Sequence, residues 1–274
     1  MTGGISQSTE LQHFLFLVFL LVYGTTWLGN LTIIITVIFD SHLHTPMYLL
    51  LANLAFLDFS ESSVTAPKML KDLLYQRKTI SFNGCLTQMF FFHFIGGTVV
   101  FFLVVMAPDR YVAIYKPLHY LSIMNRSMCM GLVAGAWLGG FVHSIVQLAL
   151  IIQLPFCGPN TLDSLFLALN CFVFIIVSYV QIFKTVLRIP TEQGRHKAFS
   201  TCLPHLTVVS LLICTGSFAY LKLTSSSESG LDLVVGVLYS LVPPVMNPII
   251  YSMRNKDIKA AWKKLIVWWL FTKS

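Results

Sequence analysis

The chain has 274 residues, of which 56% are apolar and only 11% are charged. Soluble globular domains contain about 25% charged residues, so this chain has too few ionic groups to cover the water-exposed surface of a fold of its size. The composition favours an integral membrane protein. It argues against a secreted disulfide scaffold, a disordered chain and nearly every class of soluble enzyme.

The net charge of +7 does not indicate a nucleic-acid partner. Nucleic-acid binders gather Lys and Arg on one solvated face, whereas the basic residues of this chain lie in short gaps between apolar segments. The cytoplasmic loops of membrane proteins collect such positive charge. The six cysteines are too few in a chain of this length to form a disulfide framework.

Seven apolar runs are long enough to cross a bilayer as helices, which takes roughly 20 residues each. The predicted spans are residues 14–39, 48–70, 88–107, 128–152, 165–187, 203–223 and 231–253. A last stretch, residues 255–270, begins with Lys and Asp and ends in apolar and Trp residues, which predicts a short amphipathic helix on the membrane surface. No linker is long enough to separate domains, so we expect an all-α membrane protein with one seven-transmembrane-helix bundle over residues 1–274.

The distribution of Lys and Arg predicts the orientation of this bundle. If the N-terminus lies outside, thirteen basic residues fall on the cytoplasmic side and five on the opposite side, which agrees with the positive-inside rule. The first apolar run is too long for a removable signal peptide, and it lacks a basic leader and a small-residue cleavage site. We therefore expect a signal anchor that stays in the chain, with the C-terminus in the cytoplasm.

Three polar side chains are predicted to lie within the membrane: Asn30 in the first span, Asp58 in the second and Asn247 in the seventh. Because a polar group in a bilayer is costly, each one is expected to face the bundle interior and is a functional candidate. One interpretation is a network of hydrogen bonds that joins three helices. The other is a proton or cation site, with sodium at Asp58 as the candidate, and the two can coexist. No other metal site is predicted.

Two short motifs lie near the ends of predicted spans. Asp109 and Arg110 follow the third span, where protonation of the acid would release the guanidinium and so act as a switch. The motif Asn247-Pro248-x-x-Tyr251 closes the seventh span, where proline lacks the N–H of the helical ladder and permits a kink. Alone, the first motif could be an interface anchor and the second only a bend.

Four longer motifs follow one another along the chain. They are Pro-Met-Tyr at residues 46–48 with Asn53-Leu54 and Asp58, residues 106–114 followed by Lys-Pro-Leu-His-Tyr at 116–120, Lys-Ala-Phe-Ser-Thr-Cys at 197–202 with His-Leu at 205–206, and residues 244–256. With these motifs the chain resembles, over nearly its whole length, a rhodopsin-like (class A) G-protein-coupled receptor, and specifically an olfactory receptor.

The resemblance implies an odorant-sensing receptor in the plasma membrane. A small volatile molecule would bind between the outer halves of helices three, five, six and seven, the sixth helix would swing outward, and a stimulatory G protein would bind the cytoplasmic opening. The implied partners are the odorant, this G protein and membrane lipid, and no cofactor is expected. Such a pocket selects loosely, since one methylene contributes about 1–3 kcal/mol.

Two sets of residues follow from the resemblance. The ligand-binding set comprises His93, Gly96, Gly97, Val100, Ile213, Ser217, Val237 and Ser240. Within it, His93 is either a polar contact for an oxygenated odorant or a side chain hydrogen-bonded to a neighbour. The set for G-protein coupling and switching comprises Asp109, Arg110, Tyr111, Tyr179, Lys197, His205, Asn247, Pro248 and Tyr251.

The chain departs from the family pattern in the second outer loop. Residues 153–160 resemble the start of that loop, but residues 161–164 lead at once into the fifth span, so the later part of the loop and the outer turns of the fifth helix are missing. Cys85 then lacks its usual partner. Cys157 could replace it if the two Cα atoms lie within roughly 7 Å. A shortened fifth helix would lower one wall of the pocket and weaken ligand binding.

Further departures lie near the expected G-protein end and in the sixth span. Pro108 stands where the family has tyrosine and Pro204 where it has serine, and a proline inside a soluble helix costs about 3 kcal/mol. Tyr115 and Ile213 also differ from the family pattern. We therefore expect an olfactory receptor by descent whose expression or signalling is impaired, with retention in the endoplasmic reticulum as one consequence.

There are three alternatives to a signalling receptor. A retained, non-signalling receptor-like protein would keep the fold and act only through dimerisation. A small transporter or channel is disfavoured because we expect a single acid within the membrane and see no two halves that match. An enzyme is not expected, because no nucleophile–base pair, zinc spacing or phosphate loop is found.

Overall fold

The computed structural model describes residues 9–75, 80–153, 179–180, 183–184, 186–188, 191–223, 244–250 and 256–271. These residues are helical apart from short turns. The long helices are α1 (Thr9–Phe39), α2 (Pro46–Leu74), α3 (Phe82–Tyr115), α4 (Arg126–Gln153), α5 (Glu192–Leu223) and α6 (Lys256–Phe271). Single turns at Ser41–Leu43, Pro117–His119 and Tyr120–Ile123 lie between them, and residues 244–250 are helical.

The starts of the helices follow from local capping. Pro46 occupies the first turn of α2. A backbone N–H in the first turn has no partner within the helix, so proline, which lacks this N–H, costs no hydrogen bond there. The side chains of Ser81, Asn125 and Thr191 each accept a hydrogen bond from the backbone N–H three residues later. They satisfy groups that the first turn leaves unpaired, and thereby fix where α3, α4 and α5 begin.

The observed boundaries differ from the predicted ones in an informative way. The stretches 14–39, 48–70, 128–152 and 255–270 lie within five residues of the ends of α1, α2, α4 and α6. By contrast, α3 begins six residues before the predicted 88 and ends eight residues after 107, and α5 begins eleven residues before 203. These helices continue through polar turns that a search for apolar runs leaves out. The stretches 165–187 and 231–253 lie mostly outside the described residues.

Proline does not interrupt the described helices. α2 runs through Pro67, α3 through Pro108 and α5 through Pro204. Membrane helices tolerate proline because neighbouring groups can satisfy the carbonyl that loses its donor. The two prolines that depart from the family pattern therefore leave their helices continuous.

Within the described ranges, three helices are long and apolar enough to cross a membrane: Gln12–Phe39, Phe82–Tyr115 and Arg126–Ala149. α2 has a comparable length, but Asp58 and Glu61 lie near its middle. Large apolar side chains such as Leu21 (69% exposed) and Leu138 (63%) lie on outward faces. Extended apolar surface of this kind is typical of contact with lipid.

α3 is the centre of the described bundle. α2 and α4 pack along α3, α5 also contacts it, α1 packs on α2, and α6 packs on α1. Leu54, Leu57 and Phe102 are fully buried in the core between these helices. Ile258 and Ala261 of α6 are buried among side chains of α1 and α2, which attaches the amphipathic helix to the bundle.

α3 and α4 cross at glycine. A Cβ at Gly140 would collide with Oγ1 of Thr98 and would lie 2.8 Å from the Thr98 nitrogen and 2.9 Å from the Phe94 carbonyl oxygen. One turn further along α4, Ser144 donates a 2.7 Å hydrogen bond to the carbonyl of Phe90. Small residues allow this close approach between membrane helices. The crossing determines which residues of α3 face α4.

Candidate functional site

A charged pair is buried near the C-terminal end of α3. Asp109 is fully buried and Arg110 nearly so. Arg110 Nε donates a 2.9 Å hydrogen bond to Asp109 Oδ2, and its Nη2 donates to the same oxygen. Its Nη1 lies 3.1 Å from the sulfur of Met47 at the start of α2. Breaking a buried ion pair is costly, so Asp109 stabilises Arg110 in this position.

Tyr120, in the single turn after α3, is a second partner of Asp109. Its hydroxyl donates a 2.7 Å hydrogen bond to Asp109 Oδ1, so both carboxylate oxygens are occupied. Burial, and then the nearby charge of Asp109, raises the pKa of Tyr120, so the hydroxyl remains a donor at physiological pH. The predicted switch set omits Tyr120, for which the only sequence signal is its place in the motif at residues 116–120.

An exposed apolar residue lies two positions before Tyr120. Leu118 is 95% exposed and borders an open cleft of about 520 Å³. Lys116 and His119 also line the cleft. Tyr111 stacks on Tyr115 with ring centroids 5.4 Å apart. A large apolar side chain surrounded by polar groups is a suitable anchor for a protein partner.

The three predicted intramembrane polar residues belong to one network. Asn247 Nδ2 donates a 2.7 Å hydrogen bond to Asp58 Oδ2. Asn30 Nδ2 donates to the carbonyls of Thr26 (3.0 Å) and Pro244 (3.1 Å). Asn30, Asp58 and Asn247 are all buried. The network therefore connects α1 and α2 with the helical segment 244–250.

The same network contains unsatisfied oxygen atoms. In the described part of the chain, Oδ1 of Asn30 and Oδ1 of Asn247 are buried without a hydrogen-bond partner. Glu61 is 7% exposed and follows Asp58 by three residues, so the two carboxyl groups lie on one side of α2. The expectation of a single acid in the membrane is therefore wrong. The signal for Glu61 was present, since this residue lies within the predicted span 48–70.

The predicted ligand-binding residues of α3 have different surroundings. His93 is half-buried and its ring faces His143 of α4, with the centroids 6.1 Å apart. Gly97 is buried against the same histidine, because a Cβ there would lie 2.7 Å from Cδ2 of His143. A Cβ at Gly96 would meet no atom within 4 Å, and Val100 is half-buried. Gly96 therefore has free space beside it, whereas Gly97 belongs to the α3–α4 crossing.

Comparisons with known proteins identify the family. A family model described as 7 transmembrane receptor (rhodopsin family) matches residues 29–251. Olfactory receptor 4D1 of Homo sapiens is 48% identical in an alignment that covers 96% of this chain and 92% of the relative. Olfactory receptor 4M1 of Mus musculus is 45% identical, with 98% of this chain and 95% of the relative covered. The chain belongs to the rhodopsin-like receptor family, as an olfactory receptor.

Membership confirms the predicted fold class and function. The olfactory receptor is an odorant-sensing G-protein-coupled receptor, a multi-pass membrane protein with a bundle of seven helices, and not an enzyme. Human olfactory receptor 4K3 is a further relative, 45% identical with 96% of this chain and 91% of the relative covered. The comparisons support neither the non-signalling alternative nor a transporter.

Some predicted residues of this olfactory receptor lie beyond what the structure describes. Val237, Ser240, Tyr251 and Cys157 lie outside the described residues, and for Lys197, His205, Ile213 and Ser217 on α5 the backbone alone is described. Tyr179 is buried in the core that surrounds α3. Pro248 is buried next to α1, where a Cβ at Gly29 would lie 3.1 Å from the proline ring.

The described residues contain only Cys85 of the replacement disulfide that the sequence left open. It is a free thiol whose sulfur lies 3.9 Å from the sulfur of Met89, one turn later on α3. The side chain thus contacts its own helix. The proposed partner, Cys157, lies outside the described residues.

Proposed function

We propose that this olfactory receptor activates a stimulatory G protein at the C-terminal end of α3 when a small volatile molecule binds within the bundle. The observation that carries the proposal is the buried Asp109–Arg110 pair, with Tyr120 bound to the second carboxylate oxygen. In this arrangement Asp109 holds the Arg110 guanidinium in place. The chain segment that contains Tyr120 also exposes Leu118.

The switch follows from the chemistry of the pair. Protonation or displacement of Asp109 breaks its buried ion pair with Arg110, and breaking a buried pair costs about 3–5 kcal/mol. The guanidinium is then driven to find acceptors elsewhere, which the G protein would supply. Arginine suits this role because it stays charged and presents five donors in a rigid plane.

The coupling surface is proposed to include Leu118 and the neighbouring Lys116. An apolar anchor that enters a partner pocket supplies binding energy, and surrounding charges set orientation. The proposed coupling set further contains Tyr111, Tyr179, Lys197, His205, Asn247, Pro248 and Tyr251.

The ligand is proposed to lie on the side of α3 where Gly96 leaves space. Val100 is proposed to shape the wall there, and His93 to offer a polar contact from the edge that faces α4. Gly97 contributes indirectly, because it gives room to His143 at the α3–α4 crossing. Residues of the sixth and seventh helices form the opposite side. A mainly apolar pocket with few polar groups is typical for small ligands. The opposing residues of the proposed pocket are Ile213, Ser217, Val237 and Ser240.

The intramembrane network is proposed to bind sodium at Asp58, with Glu61 as a second carboxylate and the unpartnered amide oxygens of Asn30 and Asn247 as further oxygen donors. Asp58→Asn tests this, because the amide oxygen can still accept from Asn247 and so preserve the hydrogen bond. Replacing sodium by choline should lower the melting temperature of the unchanged receptor and of Glu192→Gln, but not that of Asp58→Asn. If the melting temperature of all three proteins depended equally on sodium, Asp58 would not bind sodium and would serve only in the hydrogen-bond network.

The receptor is proposed to reach the plasma membrane with its N-terminus outside, and the shortened outer loop is proposed to retain part of it in the endoplasmic reticulum. The alignment with the human relative at 48% identity extends over 288 positions, more than the 274 residues of the chain. The alignment therefore contains gaps in the sequence of this chain, which supports the proposal that this chain lacks a segment present in the relative.

One experiment tests the signalling proposal. The full chain, with an N-terminal epitope, is expressed in cells that contain a stimulatory G protein, receptors are counted on intact cells, and cyclic AMP is measured against a broad odorant panel. We expect a ligand-dependent rise that Arg110→Ala abolishes. Arg126→Ala removes an exposed cation outside the pair and should leave the rise unchanged.

Two results would contradict the proposal. A full response by Arg110→Ala at the same surface count would remove the pair from the switch. Activation of another class of G protein would overturn the stimulatory assignment while leaving the family intact.

A further inference from the structure

Glu61 is a buried acid near the middle of α2. The residue is 7% exposed, and its carboxyl group makes no hydrogen bond or ion pair with the described residues. The acid that precedes it on α2, Asp58, has a charge of the same sign. Lys68, the next cation along α2, donates to both carboxylate oxygens of Asp72. An acid within a membrane bundle is costly unless a cation or a hydrogen-bond donor faces it, so Glu61 is a candidate for binding an external cation.

The side of α2 that carries Glu61 faces the interior of the bundle. Residues three and four positions apart are neighbours on a helix surface, so Glu61 lies one turn beyond both Leu57 and Asp58. Leu57 is fully buried in the core around α3, and Asp58 accepts a hydrogen bond from Asn247. Glu61 is therefore directed towards the space between α3 and the helix that contains residues 244–250.

Two contacts align α2 with α3. The sulfur of Met47, near the start of α2, lies 3.1 Å from Arg110, near the end of α3. The side-chain amide of Gln88, in an early turn of α3, donates a 3.0 Å hydrogen bond to the carbonyl of Val64. The two helices are therefore antiparallel, and Val64 lies close to the depth of Gln88.

This alignment gives the depth of Glu61. The residue precedes Val64 by three positions, which is about 4.5 Å along the helix axis. The same distance along α3 from Gln88 leads to Phe91, in the turn that contains His93. Glu61 thus lies at the depth of the proposed odorant pocket.

The unpaired acid favours a cationic ligand. An odorant without charge leaves the carboxylate uncompensated, and a carboxylic acid adds a second charge of the same sign. The ammonium group of an amine brings a positive charge and N–H donors, and hydrogen bonds that involve an ionised group are roughly twice as strong as neutral ones. Alkyl amines, like the side chain of lysine, have a pKa of about 10, so they are cationic at physiological pH.

We propose that this receptor recognises small volatile amines, with the ligand ammonium bound to the carboxylate of Glu61 and the apolar part of the ligand in the space beside Gly96. This rests on the proposed function, because it names the ligand class of the pocket proposed there. Glu61 selects the charged group of the ligand, whereas the apolar wall selects its shape only loosely.

The test compares ligands that share one hydrocarbon skeleton. Primary amines, alcohols and carboxylic acids with butyl, hexyl, octyl and cyclohexyl skeletons are applied to cells that express the full chain, and cyclic AMP is measured per receptor on the cell surface. A hydrogen bond to a charged group changes affinity by roughly 10–100-fold. We therefore expect at least one amine to act at a concentration at least about tenfold below that of its alcohol, and the acids to be inactive.

Variants of one side chain separate charge from shape. Glu61→Gln removes the charge at nearly constant size and should abolish the preference for amines, whereas Glu61→Asp keeps the charge and should retain it. Glu192→Gln makes the same acid-to-amide change at an exposed position of α5 and should retain the preference. The preference should be the same in sodium and in choline medium, which separates the ligand from sodium at Asp58.

A second measurement is independent of G-protein coupling. The melting temperature of the purified receptor in detergent is recorded with and without each ligand. Amines should raise it for the unchanged receptor and for Glu192→Gln, but not for Glu61→Gln, and the value without ligand shows that each variant is folded. Stabilisation by amines without a rise in cyclic AMP would overturn the signalling proposal and support the amine site.

Three results would overturn the amine site. The first is the absence of stabilisation by amines, or equal stabilisation by an amine and its alcohol, in the unchanged receptor. The second is a preference for amines that persists in folded Glu61→Gln. The third is a cyclic AMP response to alcohols or acids and to none of the amines, which would leave the signalling proposal in place.

Discussion

At the scale of single residues, Asp109 controls the resting state through its two oxygen atoms. Oδ2 accepts from Arg110 and Oδ1 accepts from Tyr120, so each carboxylate oxygen accepts a hydrogen bond from a side chain. Loss of the Tyr120 donor removes a hydrogen bond from the resting arrangement and so favours release of Arg110.

Tyr120→Phe removes one of these donors and little else. A hydrogen bond to a charged group contributes about 1.5–3 kcal/mol, and losing that energy in the resting state alone shifts a two-state equilibrium by roughly tenfold or more. We therefore expect ligand-free cyclic AMP per surface receptor to rise several-fold. The measurement is basal cyclic AMP normalised to receptors counted on intact cells.

Tyr75→Phe is the matched control for this change. The side chain of Tyr75 is 61% exposed after the last turn of α2 and belongs to neither proposed set, so basal cyclic AMP should stay at the level of the unchanged receptor. Equal basal activity in Tyr120→Phe and Tyr75→Phe would show that the hydroxyl of Tyr120 does not restrain the switch.

At the scale of elements, the α3–α4 crossing leaves no room for a methyl group at Gly140. Gly140→Ala would place Cβ against Thr98 and the Phe94 carbonyl, so the helices must separate. Overpacking costs typically about 1–3 kcal/mol. We expect a lower melting temperature in detergent and a severalfold loss of receptors from the cell surface, as measured by thermal unfolding and by surface epitope counts.

Gly135→Ala on the same helix is the control. A Cβ at Gly135 would meet no atom within 4 Å, and alanine is the better helix former by roughly 1 kcal/mol. Its melting temperature should equal or exceed that of the unchanged receptor. If Gly140→Ala behaved in the same way, the close approach of α3 and α4 would not exist in the membrane.

The elements also show how far the sequence predicts this receptor. Apolar runs reveal the spans because the bilayer demands about 20 apolar residues from each helix, and capping residues such as Ser81 could have extended α3 to its observed start. Glu61 could have been predicted as a second intramembrane acid, because it lies within the span 48–70, three residues after Asp58. The partnerships of Tyr120 with Asp109 and of His93 with His143 depend on contacts between separate helical segments, which no periodicity or short motif reveals.

At the scale of the whole molecule, several contacts bring particular ends of helices to one side of the bundle. Tyr48, at the start of α2, donates a 2.8 Å hydrogen bond to Asp257 of α6. The sulfur of Met47 lies against Arg110 near the end of α3. The first turns of α2 and of α6 and the last turns of α3 therefore share one face of the membrane. Basic residues concentrate on that face, among them Lys116, Arg126, Lys259, Lys263 and Lys264.

This arrangement predicts the topology of the chain. Because loops rich in Lys and Arg stay in the cytoplasm, α6 should lie inside, and seven crossings then place the N-terminus outside. An epitope at the N-terminus should be labelled on intact cells, whereas an epitope after Ser274 should be labelled only after permeabilisation. Labelling of both epitopes under the same condition would mean an even number of crossings, which the seven-helix bundle does not allow.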